Sequence, residues 1–240
     1  MIDEQIKEQA IEFAKKNKLK IAKEIASFDV YKPEVTPISV FMAGSPGAGK
    51  TEFSKELIRI LESDGTERRV IRIDADEIRP ILPGYTGNNS YLFQYPVSLV
   101  VEKVHDLALH NKQSFILDTT FANPEKARYN VGRSLDKERP VYIFYLYQKP
   151  EVAWKFTKAR EEIEGRQIPR QAFIEEFVGA REAINAMLEK YNDNITVFLV
   201  VKDFEKNTVN DIIPILGGGV NVDEYLPKVY SRDELDKIIL

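Results

Sequence analysis

The 240-residue chain has no cysteine and only two histidines, His105 and His110. The first absence excludes disulfides, thiolate nucleophiles and cysteine zinc sites, and it fits a reducing compartment. Two histidines are too few for a multi-histidine metal centre and leave a histidine triad little to start from. No apolar run reaches eighteen residues, and the N-terminus opens on charged helix formers instead of a basic region followed by an apolar core. A soluble, cytoplasmic protein without a membrane span is expected. Surplus basic charge is missing too, since 34 Lys and Arg face 38 Asp and Glu for a net charge of −4. That balance argues against a general polyanion binder and makes nucleic acid an unfavoured partner, while leaving room for a local basic pocket. Chemistry is left to carboxylates, hydroxyls, lysine, arginine and backbone amides.

Ile2, Ile6, Ala10 and Phe13, then Ile21, Ile25 and Phe28, recur at intervals of three or four. This spacing predicts an amphipathic helical arm over 1–32, closed by Pro33 and Pro37. Apolar runs of strand length follow at 38–43, 69–73, 114–117, 141–146 and 195–201. Helical patterns separate them at 50–63, 97–111, 124–135, 151–164 and 170–191. The alternation predicts an α/β fold, a P-loop NTPase-like parallel sheet of about five strands with helices on both faces, over 33–202. Such sheets bind ligands at the carboxyl ends of their strands. A less regular extension over 203–240 holds a Gly217-Gly218-Gly219 turn and a last helix opened by a Ser231/Glu234 capping box.

Gly44-Ser45-Pro46-Gly47-Ala48-Gly49-Lys50-Thr51 satisfies G-x-x-x-x-G-K-[ST] between a strand and a helix. Glycines let the loop aim its amides at phosphates, and the helix adds the positive end of its dipole. Lys50 is expected to reach the β- and γ-phosphates of ATP, and the Thr51 hydroxyl to ligate Mg²⁺.

The second strand runs into Asp74-Ala75-Asp76, where either carboxylate is placed to take a proton from an acceptor hydroxyl or to cap a helix. The third ends in Asp118-Thr119-Thr120; Asp118 either orients Mg²⁺ or its water, contacts the acceptor, or caps. Further on, Gly165-Arg166-Gln167-Ile168-Pro169 interrupts two helices, and Arg166 between a glycine and a proline suits a lid, around 151–190, that closes over phosphates. Arg160, with Glu161, Glu162 and Glu164 beside it, reads equally as a solvated helix face. Tyr85, Tyr91, Phe93 and Tyr95 either stack on a base or pack beneath their loop.

These motifs together resemble the zeta toxin family of P-loop kinases over roughly 38–201. Beyond the phosphate loop, the resemblance rests on Ile73-Asp74-Ala75-Asp76-Glu77-Ile78-Arg79-Pro80-Ile81-Leu82-Pro83-Gly84-Tyr85, on Phe115-Ile116-Leu117-Asp118-Thr119-Thr120 and on the Gly165 to Pro169 string. It implies an ATP- and Mg²⁺-dependent kinase acting on a sugar hydroxyl of UDP-N-acetylglucosamine. By the same resemblance Lys50 and Thr51 bind nucleotide and metal, Asp76 is the general base, and Asp118 and Thr120 line the acceptor site. Arg166 and a second arginine hold the γ-phosphate; Arg181 is taken as the second, with Arg170 its rival. Asp118 departs from the better-known toxins of the family, which carry Glu at the corresponding place. Family members are held inactive by a helical antitoxin, so either a separate antitoxin or the chain's own arm acting in cis is an expected partner. Two other readings share the P-loop: an ATPase or nucleotide-binding protein without a small-molecule acceptor, and a nucleic-acid end kinase.

Overall fold

The computed structural model describes residues 2–63, 65, 67–203, 208–216 and 219–240. Gly217 and Gly218 of the expected glycine turn lie outside the described residues. Strands β1 (Ser39–Ala43), β2 (Ile71–Asp74), β3 (Phe115–Asp118), β4 (Val141–Tyr147), β5 (Thr196–Lys202) and β6 (Val209–Ile215) form one sheet in the order β2-β3-β1-β4-β5-β6. The first five are parallel. The sixth, β6, runs antiparallel to β5 at the edge. It escapes the sequence pattern because most of it is exposed and it holds Pro214, which an edge strand tolerates.

Period-two alternation divides each strand between two apolar layers. Val40 and Met42 meet Phe53, Leu57 and Leu61 of α2 (Lys50–Glu62). Phe41 and Ala43 face the larger layer, built with α1 (Ile2–Ile25), α4 (Gln94–His110), α5 (Pro124–Leu135) and α7 (Arg170–Tyr191). A short α3 (Ala75–Ile78) follows β2, α6 (Pro150–Glu164) precedes α7, and α8 (Arg232–Ile238) ends the chain behind the expected capping box.

The arm α1 buries Ala10, Ala14, Ile21 and Ala22 and packs along α4 and the turn at Ser90–Phe93. Small side chains let the two helices lie close, and the Tyr91 hydroxyl donates to Asp3 at 2.5 Å. None of its described residues lines the cavity at the phosphate loop. The expectation of an arm covering the nucleotide site in cis is therefore corrected: its apolar face is spent on α4.

Candidate active site

A cavity of about 580 Å³ opens at the carboxyl ends of β1, β2 and β3. Pro46, Gly47, Gly49, Lys50, Thr51, Asp76, Asp118, Thr120 and Arg166 line it together, as do Asp74, Arg79, Lys126, Arg160 and Glu176. Gly44, Ser45 and Ala48 lie beneath its surface and shape the loop. The Gly44 amide donates to the Thr120 carbonyl at 3.1 Å, which ties the loop to the end of β3. Lys50 Nζ folds onto its own loop, donating to the carbonyls of Gly44 at 2.9 Å and Ser45 at 2.7 Å. Burial lowers the Lys50 ammonium below the ordinary lysine range; Asp118 and Glu176 pull it back, and Arg166 and Arg160 add to the lowering.

Gly47 has a further reason to be glycine. Its φ is +73°, and a Cβ there would come within 2.0 Å of the Ala153 carbonyl oxygen on α6. The missing side chain makes room for α6 as well as for a ligand.

Around Asp76 three guanidiniums converge. Arg166 Nη1 lies 2.7 and 2.5 Å from the two carboxylate oxygens, Arg79 Nη1 2.6 Å from Oδ1, and Arg160 Nη2 3.5 Å from Oδ2. Burial pushes the Asp76 carboxyl up, but Arg166, Arg79 and Arg160 outweigh it and hold it below the ordinary carboxylate range. Side-chain exposure grades the three, from 2% for Arg79 to 26% for Arg166 and 43% for Arg160. Arg79 is thus a fixture of the fold, whereas the other two have solvent to move into. Gly165, with φ +71°, ends α6 and turns the chain so that Arg166 reaches the cavity.

Asp74 caps α3, accepting from the Asp76 amide at 2.8 Å. Asp118 Oδ2 accepts from Ser54 Oγ at 2.9 Å and from Arg72 at 2.6 Å. No group of three or more acidic or histidine side chains able to hold a metal occurs among the described residues. That donor set still suits Mg²⁺, which takes few carboxylates and draws its other ligands from phosphates and water. Thr51, in the first turn of α2, and Asp118 supply hard oxygens facing the cavity.

The second arginine must be reassigned. Arg181 faces away from the cavity, with Nη1 3.4 Å from the Tyr230 carbonyl and Nε 3.7 Å from Asp223. Arg170, the rival, donates to the Ile239 carbonyl at 2.6 Å and to Asp236 at 2.7 Å. Both hold the C-terminal extension, and the arginine that joins Arg166 in the cavity wall is Arg160, on α6. Helical phase could have shown this in part, because Arg181 lies eleven residues beyond Arg170, about three turns along the same face of α7. Sequence reasoning also passed over Arg72 and Glu176. For Arg72 the signal was a cation inside an apolar strand, between Ile71 and Ile73. Of the four aromatics, Phe93 is buried edge-on to Tyr85 while Tyr91 and Tyr95 are exposed, and none of the four lines the cavity.

A strand, a glycine-rich phosphate loop and a helix at the centre of a mainly parallel sheet, with carboxylates at the neighbouring strand ends and arginines above, define a P-loop kinase-type enzyme. Residues 23–212 match the zeta toxin family model, and the chain belongs to that family. Among solved structures, the PezAT toxin–antitoxin system of Streptococcus pneumoniae matches with a TM-score of 0.62 at 14% identity, over 95% of this chain and 86% of that one. An AvrRxo1-ORF1:AvrRxo1-ORF2 complex with ATP matches at 0.59 and 14% identity, over 100% and 73%. At such identities the likeness speaks for the fold. No curated protein sequence matches the chain.

Proposed function

We propose that the protein transfers the γ-phosphate of ATP to a hydroxyl of a small molecule, with a nucleotide sugar of the UDP-N-acetylglucosamine type as the first acceptor to test. The observation that carries this reading is the Asp76 carboxylate, set in one cavity with the phosphate loop and held by three arginines. The loop amides and Lys50 bind the phosphates, the ammonium exchanging its two carbonyl partners for phosphate oxygens. Thr51 and Asp118 would hold Mg²⁺, which when bound would supply charge neutralisation for the phosphates. Arg166 and Arg160 pass from Asp76 to the γ-phosphate, where negative charge spreads during transfer. Their departure raises the basicity of Asp76, while Arg79 stays and keeps it oriented. The acceptor oxygen then attacks phosphorus, its proton goes to Asp76, and the bond between phosphorus and the β–γ bridging oxygen breaks to release ADP. A weakly basic carboxylate suffices because proton loss is late when phosphoryl transfer is loose.

Thr120, at the end of β3 in the same cavity, serves the acceptor side. Functionally the chain divides into the arm 1–32, the kinase core 33–202 with its lid around 151–190, and the extension 203–240. Family membership and the toxin–antitoxin complex among its structural likenesses support a toxin restrained by a separate antitoxin. The test is incubation with ATP, Mg²⁺ and a panel of UDP-sugars, nucleosides and oligonucleotides. A mass gain of one phosphate on a UDP-sugar is expected. Phosphate release without any acceptor gain would favour an ATPase, and gain on oligonucleotides alone would favour a nucleic-acid end kinase.

A further inference from the structure

Arg72 sits in the middle of β2 with 7% of its side chain exposed. It donates to four oxygens on four elements, β2, β3, α3 and α2: Asp74 Oδ2 at 2.6 Å, Asp118 Oδ2 at 2.6 Å, Glu77 Oε1 at 2.5 Å and Ser54 Oγ at 2.9 Å. Two of these carboxylates, Asp74 and Asp118, are register partners across β2 and β3. Without a cation between them they would face each other as like charges in a buried place. Burial, with Asp118 alongside, does push the Asp74 carboxyl up, and Arg72 pulls it back.

The direction of the Asp118 contacts matters most. Ser54 lies one turn along α2 from Lys50 and Thr51. Its oxygen accepts from Arg72 Nε, and its single proton, within reach of the Thr51 carbonyl at 3.0 Å and of Asp118 at 2.9 Å, is best given to the charged Asp118. One oxygen of Asp118 is thereby fastened to the helix that carries the phosphate ligands. The fork geometry of a guanidinium is needed for this, since an ammonium cannot serve Ser54 and two carboxylates in one plane.

We infer that Arg72 is a positioning residue that turns Asp118 toward the phosphate side of the cavity and away from the acceptor. The inference deepens the proposed function and rests on it for the identity of the ligand, ATP with Mg²⁺. It assigns Asp118 to supporting the metal and its water, and leaves acceptor recognition to Thr120 and other residues of the cavity wall.

The experiment measures the affinity of the full chain for a fluorescent ATP analogue with Mg²⁺ and with EDTA. The variants are Arg72→Lys, Arg72→Gln, Asp118→Asn and the Arg72→Gln/Asp118→Asn double, with thermal melts to establish folding. Outer partners of metal-site groups typically contribute ten- to a hundredfold. We expect the gain in affinity from Mg²⁺ to fall about tenfold in Arg72→Lys and in Asp118→Asn, while affinity in EDTA stays near wild type. The double variant should be no worse than its weaker single, the signature of two groups acting as one. A wild-type Mg²⁺ dependence in Arg72→Lys, or losses that multiply in the double, would overturn the inference. If the Arg72 variants do not fold, Ser54→Ala carries the test, because it removes one donor to Asp118 and strands no buried charge. A loss of about threefold to tenfold is then expected, and none would contradict the assignment. A wild type that binds ATP with Mg²⁺ but phosphorylates no acceptor would refute the proposed function, and the affinity cycle is read all the same.

Discussion

The two helices α6 and α7 and the turn between them carry two sets of arginines that look alike along the chain and face opposite ways. Arg160 and Arg166 turn into the cavity and meet the Asp76 carboxylate. Arg170 and Arg181 turn outward and meet backbone carbonyls and acids of the C-terminal extension. Trp154 on α6 joins the second set, its indole donating to the Leu240 carbonyl at 2.8 Å. The extension therefore grips both helices on the side away from the cavity that Arg160 and Arg166 line. A cation's role is set by whether its partner is a fixed part of the fold or one that yields to a ligand.

The largest effect separates Asp76, the proposed base, from everything else. Asp76→Ala should lower phosphate transfer by about 10²- to 10⁴-fold and leave ATP affinity within about threefold, measured by single-turnover transfer and nucleotide titration. Lys50→Ala should weaken both, since it loses phosphate binding as well. Next, Arg166→Ala should slow transfer by about 10²-fold or more and Arg160→Ala by less, because each removes a donor to the migrating phosphate. Under the same assay Arg170→Ala and Arg181→Met should transfer within about threefold of wild type while melting earlier. The shift for Arg170→Ala should correspond to about 1 kcal/mol, given hydrogen bonds that are partly solvent-screened. If Arg181→Met lost transfer as Arg166→Ala does without a lower melting point, the division between the two sets would fail.

The smallest effect at neutral pH comes from a third region, the layer beneath α4. His105 lies edge-on to Phe115 and Phe41, and its Nε2 has no partner among the described residues. Burial, with Arg133 and Arg139 adding to it, lowers its pKa to about 3. The unfolded chain takes up this proton near the ordinary value of about 6.5, and the folded chain does not until about pH 3. Stability is therefore complete above the unfolded value and falls as pH drops from there toward the folded one, by on the order of 1 kcal/mol per pH unit. Denaturant midpoints should show this slope for the wild type, and His105→Phe should remove that part of it.

Much of this was legible in the sequence because local grammar and global fold agree. The phosphate loop, five strands and the helices between them announce themselves through glycine placement and apolar runs. The edge strand β6 did not, since a strand paired on one side has no need of a continuous apolar run. Asp76 could be nominated from its place at a strand end, but its three arginines come from α6, from the turn after it and from the turn after α3, and no spacing relates them. Arg181 was misassigned for the complementary reason: its partners, Asp223 and the Tyr230 carbonyl, belong to an extension whose course the sequence leaves open. Arg72 was legible in kind, as a charge within an apolar strand. Its four partners were not, because they depend on the register that sets Asp74 beside Asp118.

The most direct measurement follows the label from γ-labelled ATP into a UDP-sugar in a single turnover, with wild type and Asp76→Ala side by side at equal ATP occupancy. The account predicts labelled acceptor with the wild type and almost none with Asp76→Ala. Label recovered only as inorganic phosphate, or transfer by Asp76→Ala at the wild-type rate, would contradict it.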